Sequence, residues 1–224
     1  MSLGAGVPSA SAAWQYDEGA GTISDGNWTI PVTWTEGSDM LTINKGVTGS
    51  GALDLWDLTV DGTPITALSI AASAFRLNGL TTLRANHIAS DLQMLCAGST
   101  VQSVDLAGEG VTALLHGVDG GNNGCFDGCK SLVGVRLDFP NLKTIGKWAF
   151  LNCSNLVTPI QDFIPRTVTE IGERAFGYCS SMGGDLWLDS TDAVGPQAFR
   201  GAKINSVHLG GGNFAAFTAT DRCG

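Results

Sequence analysis

Charge is scarce in this chain. Only 15% of its 224 residues are charged, while 43% are hydrophobic. That balance excludes a disordered chain and leaves ample side chain for a packed core. Basic residues are the scarcer kind, 12 Lys and Arg against 21 Asp and Glu, for a net charge of −9. With no basic run to offset it, the acidic surplus repels phosphate backbones and excludes nucleic acid as a partner. No apolar run approaches the roughly 18 residues a membrane-spanning helix needs, so this segment does not insert into a bilayer. The start, Met1 to Gly6, carries neither a basic segment nor a long apolar one and reads as an expression scar ahead of a mature domain. The stop at Cys223-Gly224, with no capping signal, reads as a piece of a longer protein.

Catalytic signatures are missing too. Three histidines occur (His87, His116 and His208), none in a nucleophile elbow, a metalloprotease helix or a phosphate-binding loop. They read as surface or strand-edge residues. Asp119 to Gly124 is loop-like, but a calcium-binding loop beginning at Asp119 would place Gly121 at the third ligand position and Lys130 where a bidentate Glu belongs. It reads as an inserted flexible loop. Cys125 and Cys129 have no second Cys/His pair at ligand spacing, which argues against zinc. No catalytic residue, metal site or cofactor is expected, and the chain reads as a non-enzyme.

Glycine, by contrast, is abundant at 31 residues. Many glycines mean many tight turns, which suits strand-rich or repeating architectures better than helical bundles. The repeat is visible directly. Ile145-Gly-Lys-Trp-Ala-Phe150-Leu-Asn-Cys153-Ser-Asn-Leu156 is echoed by Ile171-Gly-Glu-Arg-Ala-Phe176-Gly-Tyr-Cys179-Ser-Ser-Met182. A third copy is Val194-Gly-Pro-Gln-Ala-Phe199-Arg-Gly-Ala202, and a fourth is Cys125-Phe126-Asp-Gly-Cys129-Lys-Ser-Leu132. Ile70-Ala-Ala-Ser-Ala-Phe75 opens the array. A degenerate copy, Met94 to Val101, places Leu95 at the Phe position and Gly98 at the Cys position. The anchors Phe75, Leu95, Phe126, Phe150, Phe176 and Phe199 thus recur every 20 to 31 residues, the period of a stacked repeat with loop-length variation.

After each anchor comes a short apolar alternation, as in Val101-Gln-Ser-Val104-Asp-Leu106, Leu132-Val-Gly-Val135-Arg-Leu137 and Ile204-Asn-Ser-Val207-His-Leu209. Alternate side chains of a strand face opposite ways, so Val135 and Leu137 point in and Arg136 points out. Each repeat supplies one strand, a turn and a compact segment bearing the Phe. A single repeat cannot bury its own apolar face, whereas stacked copies bury a continuous core under a parallel sheet.

The I-G-x-x-A-F-x-x-C-x-x-L unit resembles the BspA-like leucine-rich repeat of bacterial surface proteins, over roughly Thr63 to Leu209. The resemblance implies a mainly β, α/β-class, right-handed leucine-rich-repeat solenoid with a parallel β-sheet and short helical or 3-10 turns. About six repeats fill residues 63–224. Residues 1–62 lack the repeat and read as an N-terminal antiparallel β cap, with an Asp25-Gly26 hairpin, a strand at Met40 to Ile43, and Ala52 to Leu55 as a strand that begins the repeat sheet. Trp14, Trp28, Trp34 and Trp56 fall in this cap. Trp28 alternates with Ile30 and Val32 and so shares their buried face.

Cys129, Cys153 and Cys179 hold one place in successive repeats and should stack as small buried thiols rather than pair as disulfides. Across the strands, the outward positions align as one row: Arg84, Asp105, Arg136, Gln161, Trp187 and His208. With Leu186 and Leu188 inward, the Trp187 indole points out. This row is the expected ligand-binding face. The resemblance implies a cell-surface or secreted module that binds an unknown protein or glycan ligand; a structural spacer in a longer surface protein is the alternative.

Overall fold

The computed structural model describes residues 13–117, 123–188 and 193–209. Its first strands are β1 (Gln15–Asp17), β2 (Thr22–Ser24), β3 (Thr29–Trp34) and β4 (Met40–Ile43), each antiparallel to the one before. β3 is rich in β-branched residues and alternates cleanly, burying Ile30, Val32 and Trp34. The β2–β3 connection differs from the two-residue Asp-Gly turn that the sequence suggests. Ser24 pairs with Thr29, so the loop holds four residues. Asp25 stabilises it by accepting the N–H groups of Asn27 and Trp28 at 2.9 and 2.7 Å. The longer loop carries Trp28 into the core, where its Nε1 donates to the Ala52 carbonyl at 2.9 Å.

From there the chain switches to parallel pairing. It continues through β5 (Gly51–Leu55), β6 (Thr59–Val60), β7 (Thr63–Pro64), β8 (Ala67–Ile70), β9 (Leu80–Ala85), β10 (Leu92–Gln93) and β11 (Ser103–Ala107). β12 (Ala113–Leu115), β13 (Gly134–Asp138), β14 (Thr144–Ile145), β15 (Glu170–Ile171), β16 (Asp185–Leu188), β17 (Ala193–Val194) and β18 (Ser206–Leu209) follow. β6 and β7 form an antiparallel pair, and β8 joins β4 in parallel.

Two parallel ladders then run side by side. The broad one has the order β5-β9-β11-β13, with β16-β18 as a separate parallel pair of the same strand type. The narrow one has the order β10-β12-β14-β15-β17. One strand per repeat was expected; the structure has two. The second is two or three residues long, too short for any alternation to show, and in β14, β15 and β17 it lies immediately before the motif glycine. In the broad ladder Leu53, Leu83, Val104 and Val135 are in register, as are Leu55, Ala85, Leu106 and Leu137, and all eight are buried.

Between the two ladders lies the Phe-bearing turn. Phe126, Phe150, Phe176 and Phe199 stack nearly parallel, with ring centroids 4.9, 5.4 and 5.6 Å apart and planes within 15°. The backbone stacks with them. The N–H groups of Phe126, Phe150 and Phe176 each donate at 2.7 Å to the carbonyl of the residue preceding the next Phe: Ala149, Ala175 and Ala198. By the same bond, Cys96 N–H donates to Cys125 at 2.8 Å, and Phe75 N–H to Leu95 at 3.1 Å. The degenerate repeat is therefore one residue out from its sequence alignment. Cys96, not Leu95, holds the ring position, and buried Ser99, not Gly98, holds the cysteine position. Register here follows backbone hydrogen bonds, which a sequence lacking both Phe and Cys cannot display.

The motif glycine has a steric cause. A Cβ on Gly172 would stand 2.5 Å from Lys147 N and 2.7 Å from Gly146 C, and one on Gly146 would run into the Leu114 carbonyl oxygen. Successive turns approach backbone to backbone there, and only hydrogen fits between them.

The cysteine position also has a polar cause. Cys129, Cys153 and Cys179 donate their thiol protons, each at 3.0 Å, to the carbonyls of Cys96, Phe126 and Phe150 one turn back. The five described cysteines are buried and free; Cys223 lies outside the described residues.

Candidate functional site

The broad ladder turns one set of side chains inward and leaves the alternate set outside. Asp54, Arg84, Asp105 and Arg136 are in register on that outer side across β5, β9, β11 and β13. Trp187 and His208 are in register across β16 and β18. Five of the six row residues read from the sequence thus occupy outward strand positions. The exception is Gln161. It lies in a 3-10 turn, Ile160–Asp162, at the place where a strand would otherwise join β13 to β16. Pro159 precedes that turn and has no N–H to offer a ladder. Gln161 acts as a substitute: its Oε1 accepts the Asp185 N–H at 2.9 Å, capping the bare edge of β16.

Two residues join the row that sequence reading left out. Asp54 extends it by one strand, with Arg84 Nη1 at 2.7 Å. Trp56, grouped with the cap tryptophans, lies just past β5 and is half-buried, with the guanidinium carbons of Arg84 and Arg136 at 5.0 and 5.9 Å from its ring. Trp14, Trp28 and Trp34 are buried. The signal for Trp56 was present in the alternation: Leu53 and Leu55 point inward, which puts 54 and 56 outside.

The row divides into two electrostatic halves. In the first, opposite charges alternate and pair. Arg84 bridges Asp54 and Asp105 at 2.7 and 3.5 Å, and Arg136 bridges Asp105 and Asp138 at 2.7 and 3.4 Å. Exposed pairs of this kind contribute about 0–1 kcal/mol each, so the network serves mainly to neutralise the face. The second half is aromatic. The Trp187 indole is 41% exposed and stacks on the His208 imidazole, with centroids 3.6 Å apart and planes 9° apart. The Arg166 guanidinium carbon stands 5.3 Å from the same indole. Ser206 Oγ donates to Asp185 at 2.7 Å and lies 2.8 Å from His208 Nε2. Leu186 points inward and is buried, as the alternation requires.

Ser206 Oγ lies within hydrogen-bond distance of the His208 imidazole, but its proton is directed elsewhere. Ser206 gives its proton to a carboxylate instead of receiving the attention of a base. Buried thiols are poor nucleophiles: burial pushes Cys125 and Cys179 up to about 12 and Cys129 to about 11, and raises Cys96 and Cys153 well above the ordinary range. Asp127 is pushed up to about 6 by burial, against the opposing pull of Asn152 and Arg76, but it sits on a Phe-bearing turn away from the face. Among the described residues no group of His, Cys, Asp and Glu is arranged to hold a metal ion, and no helix is long and apolar enough to cross a membrane. A separate cleft of about 230 Å³ lies at the β3–β4–β8 strands, lined by Thr33, Trp34, Met40, Thr42 and Ser69 among others. The sequence loop at Asp119 to Gly124 falls mostly outside the described residues.

Comparison with known proteins agrees with the repeat. The family description "BspA type Leucine rich repeat region" matches residues 119–217 in six copies. A crystal structure of a leucine rich repeat protein from T. pallidum is similar at 23% identity, covering 80% of this chain and 67% of that one, with a TM-score of 0.44. No curated protein matches. With the motif spacing and the stacked phenylalanines already described, residues 119–217 match leucine-rich repeats of the BspA type.

Proposed function

We propose that the chain is a non-enzymatic binding module of a bacterial cell-surface or secreted protein, and that its ladders form a right-handed solenoid presenting the outer side of the broad ladder to a protein or glycan ligand. The supporting observation is the in-register row of Asp54, Arg84, Asp105 and Arg136, continued by Trp187 and His208. It sets charges and aromatic rings on one side of strands whose other side, in β5, β9, β11 and β13, is buried. Solenoids gather contacts this way, one residue per repeat along a shared face. The N-terminal strands, residues 1–62 in this reading, act as the cap that such an array requires.

The test is a binding screen of the purified chain on immobilised extracellular matrix proteins and glycans. A variant with Trp56→Ala and Trp187→Ala is compared with one altered on the narrow ladder, Glu170→Ala. Ligands should be lost only by the first; equal binding by both variants would remove the face from the account. A second reading, a rigid spacer within a longer surface protein, draws on the mutual pairing of Arg84 and Arg136 with their flanking carboxylates, which leaves that half of the face electrostatically quiet. It predicts that neither variant alters any binding of the parent protein.

A further inference from the structure

The sheet β1-β2-β3-β4-β8 also has an outer side, and part of it is hollow. Where β3, β4 and β8 lie next to one another, a cleft of about 230 Å³ opens among their outward side chains. Register builds it. Thr33, Thr42 and Ser69 are in register across the three strands, and Met40 pairs with Ala67 beside them. The alternate residues, Leu41, Ile43, Leu68 and Ile70, are buried on the opposite side of the sheet. Thr42, Ala67 and Ser69 are half-buried and make the floor. Thr33, Thr35 and Met40 stand exposed around them, and Met40, at 65%, is the most exposed large apolar side chain among the described residues.

The lining carries hydroxyls and no charge. Five hydroxyl side chains face the cleft: Thr33, Thr35, Ser38, Thr42 and Ser69. Two are partly engaged. Thr33 Oγ1 accepts from Asn44 Nδ2, and Ser38 Oγ accepts the Met40 N–H, both at 3.1 Å, so each keeps its own proton to donate. The hydroxyls of Thr35, Thr42 and Ser69 have no partner among the described residues. None of these residues belongs to the row on the broad ladder.

We propose that this cleft binds one neutral sugar residue, at a site separate from the outer side of the broad ladder. Its volume lies below the roughly 300–1,000 Å³ of pockets for drug-sized ligands, which suits a single ring. A charged ligand of either sign would lose water there without gaining a counter-charge from the lining. A hydroxyl both donates and accepts, and it turns to suit its neighbour. The complement of a hydroxyl cluster is therefore another hydroxyl cluster, whereas a carboxylate or an ammonium offers only acceptors or only donors. The Met40 side chain, the Ala67 methyl and the threonine methyls suit the C–H faces of a sugar ring. An apolar side chain of a protein partner would cover Met40 but leave Thr42 and Ser69 enclosed without hydrogen bonds.

The experiment is saturation-transfer difference NMR on the whole chain with the methyl glycosides of glucose, galactose, mannose and N-acetylglucosamine. Glucuronic acid and glucosamine serve as charged comparisons. At least one neutral glycoside should bind, and added salt should change its affinity little. Ala67→Phe, which fills the cleft, should abolish the signal. Thr42→Val, which keeps the shape and removes one hydroxyl, should weaken binding about tenfold, the loss of one hydrogen bond. Both positions face outward, so thermal melts should stay near that of the parent chain; should Ala67→Phe unfold, Thr42→Val still decides. Failure of every neutral glycoside to bind, stronger binding of a charged sugar, or undiminished binding by a folded Ala67→Phe would each overturn the site. Trp187→Ala should leave the sugar signal unchanged. A sugar lost on Trp187→Ala but kept by both cleft variants would sit on the broad ladder, and the cleft site would fail while the binding face stands.

Discussion

A single missing methyl group explains the most regular feature of the repeat. Gly146 and Gly172 stand where one turn's backbone crosses the previous one, and a Cβ there meets main-chain atoms that have no room to give. Gly172→Ala should therefore cost about 2–3 kcal/mol by overpacking. That corresponds to a melting point lower by about 5–10 °C in a chain of this size. Gly134→Ala is the control: its Cβ would lie 3.8 Å from Ser103 Cβ, an ordinary contact, so the melt should shift by less than about 2 °C. The glycines were legible as a motif, but the cause was not. Sequence shows that Gly recurs, while only the stacked backbone shows what a side chain would strike. The same limit applies to Cys96 and Ser99. Their places became clear from the Cys96-to-Cys125 backbone bond and from burial.

The elements of this fold are unusually short, and that governs which of them could be read. Broad-ladder strands have four to six residues, enough for in–out alternation, and their outward row was legible down to Trp187. Narrow-ladder strands such as Thr144–Ile145 have two, and no periodicity survives at that length. Gln161 was misplaced because Pro159 and an inserted segment convert a strand into a 3-10 turn, a local backbone effect that alignment by repeat passes over. Between the ladders the Phe-bearing turns cooperate through their rings. Phe150 lies between Phe126 and Phe176, with Phe163 edge-on at 5.6 Å. Phe150→Ala should cost about 3–5 kcal/mol, read from denaturant midpoints. A double-mutant cycle should give Phe150 and Phe176 a coupling of about 0.5–1.5 kcal/mol, as stacked rings do. Phe75 and Phe150 should show almost none, since Cys96 and Phe126 stand between them; a coupling as large as that of Phe150 with Phe176 would contradict a serial stack.

At the scale of the whole molecule, a file of thiols buried along the core ties stability to alkaline pH. Ordinary thiols ionise near 9.0, but burial holds Cys129 to about 11 and Cys125 and Cys179 to about 12. Below pH 9 both folded and unfolded chains keep these protons, and the stability is fully present. As pH rises past 9 the unfolded chain releases protons that the folded chain retains, so stability falls between about 9 and 12. Urea midpoints measured at pH 8 and pH 10.5 should show the drop, and Cys153→Ala with Cys179→Ala should shrink it. A midpoint insensitive to pH in both proteins would mean that the thiols are ionised or exposed in the fold.

The sequence by itself determined the repeat, the inward and outward sides of the long strands, and the depth of Trp28. Each of these is a periodic property, and burial against water imposes a period on the residues that line it. Tertiary structure alone decided the second ladder, the one-residue register of the degenerate copy and the 3-10 turn that stands in for a strand before β16. These depend on which backbone meets which one turn later, and that choice is made by hydrogen bonds and close contacts between residues 20 to 30 positions apart, where side-chain identity carries little trace of it.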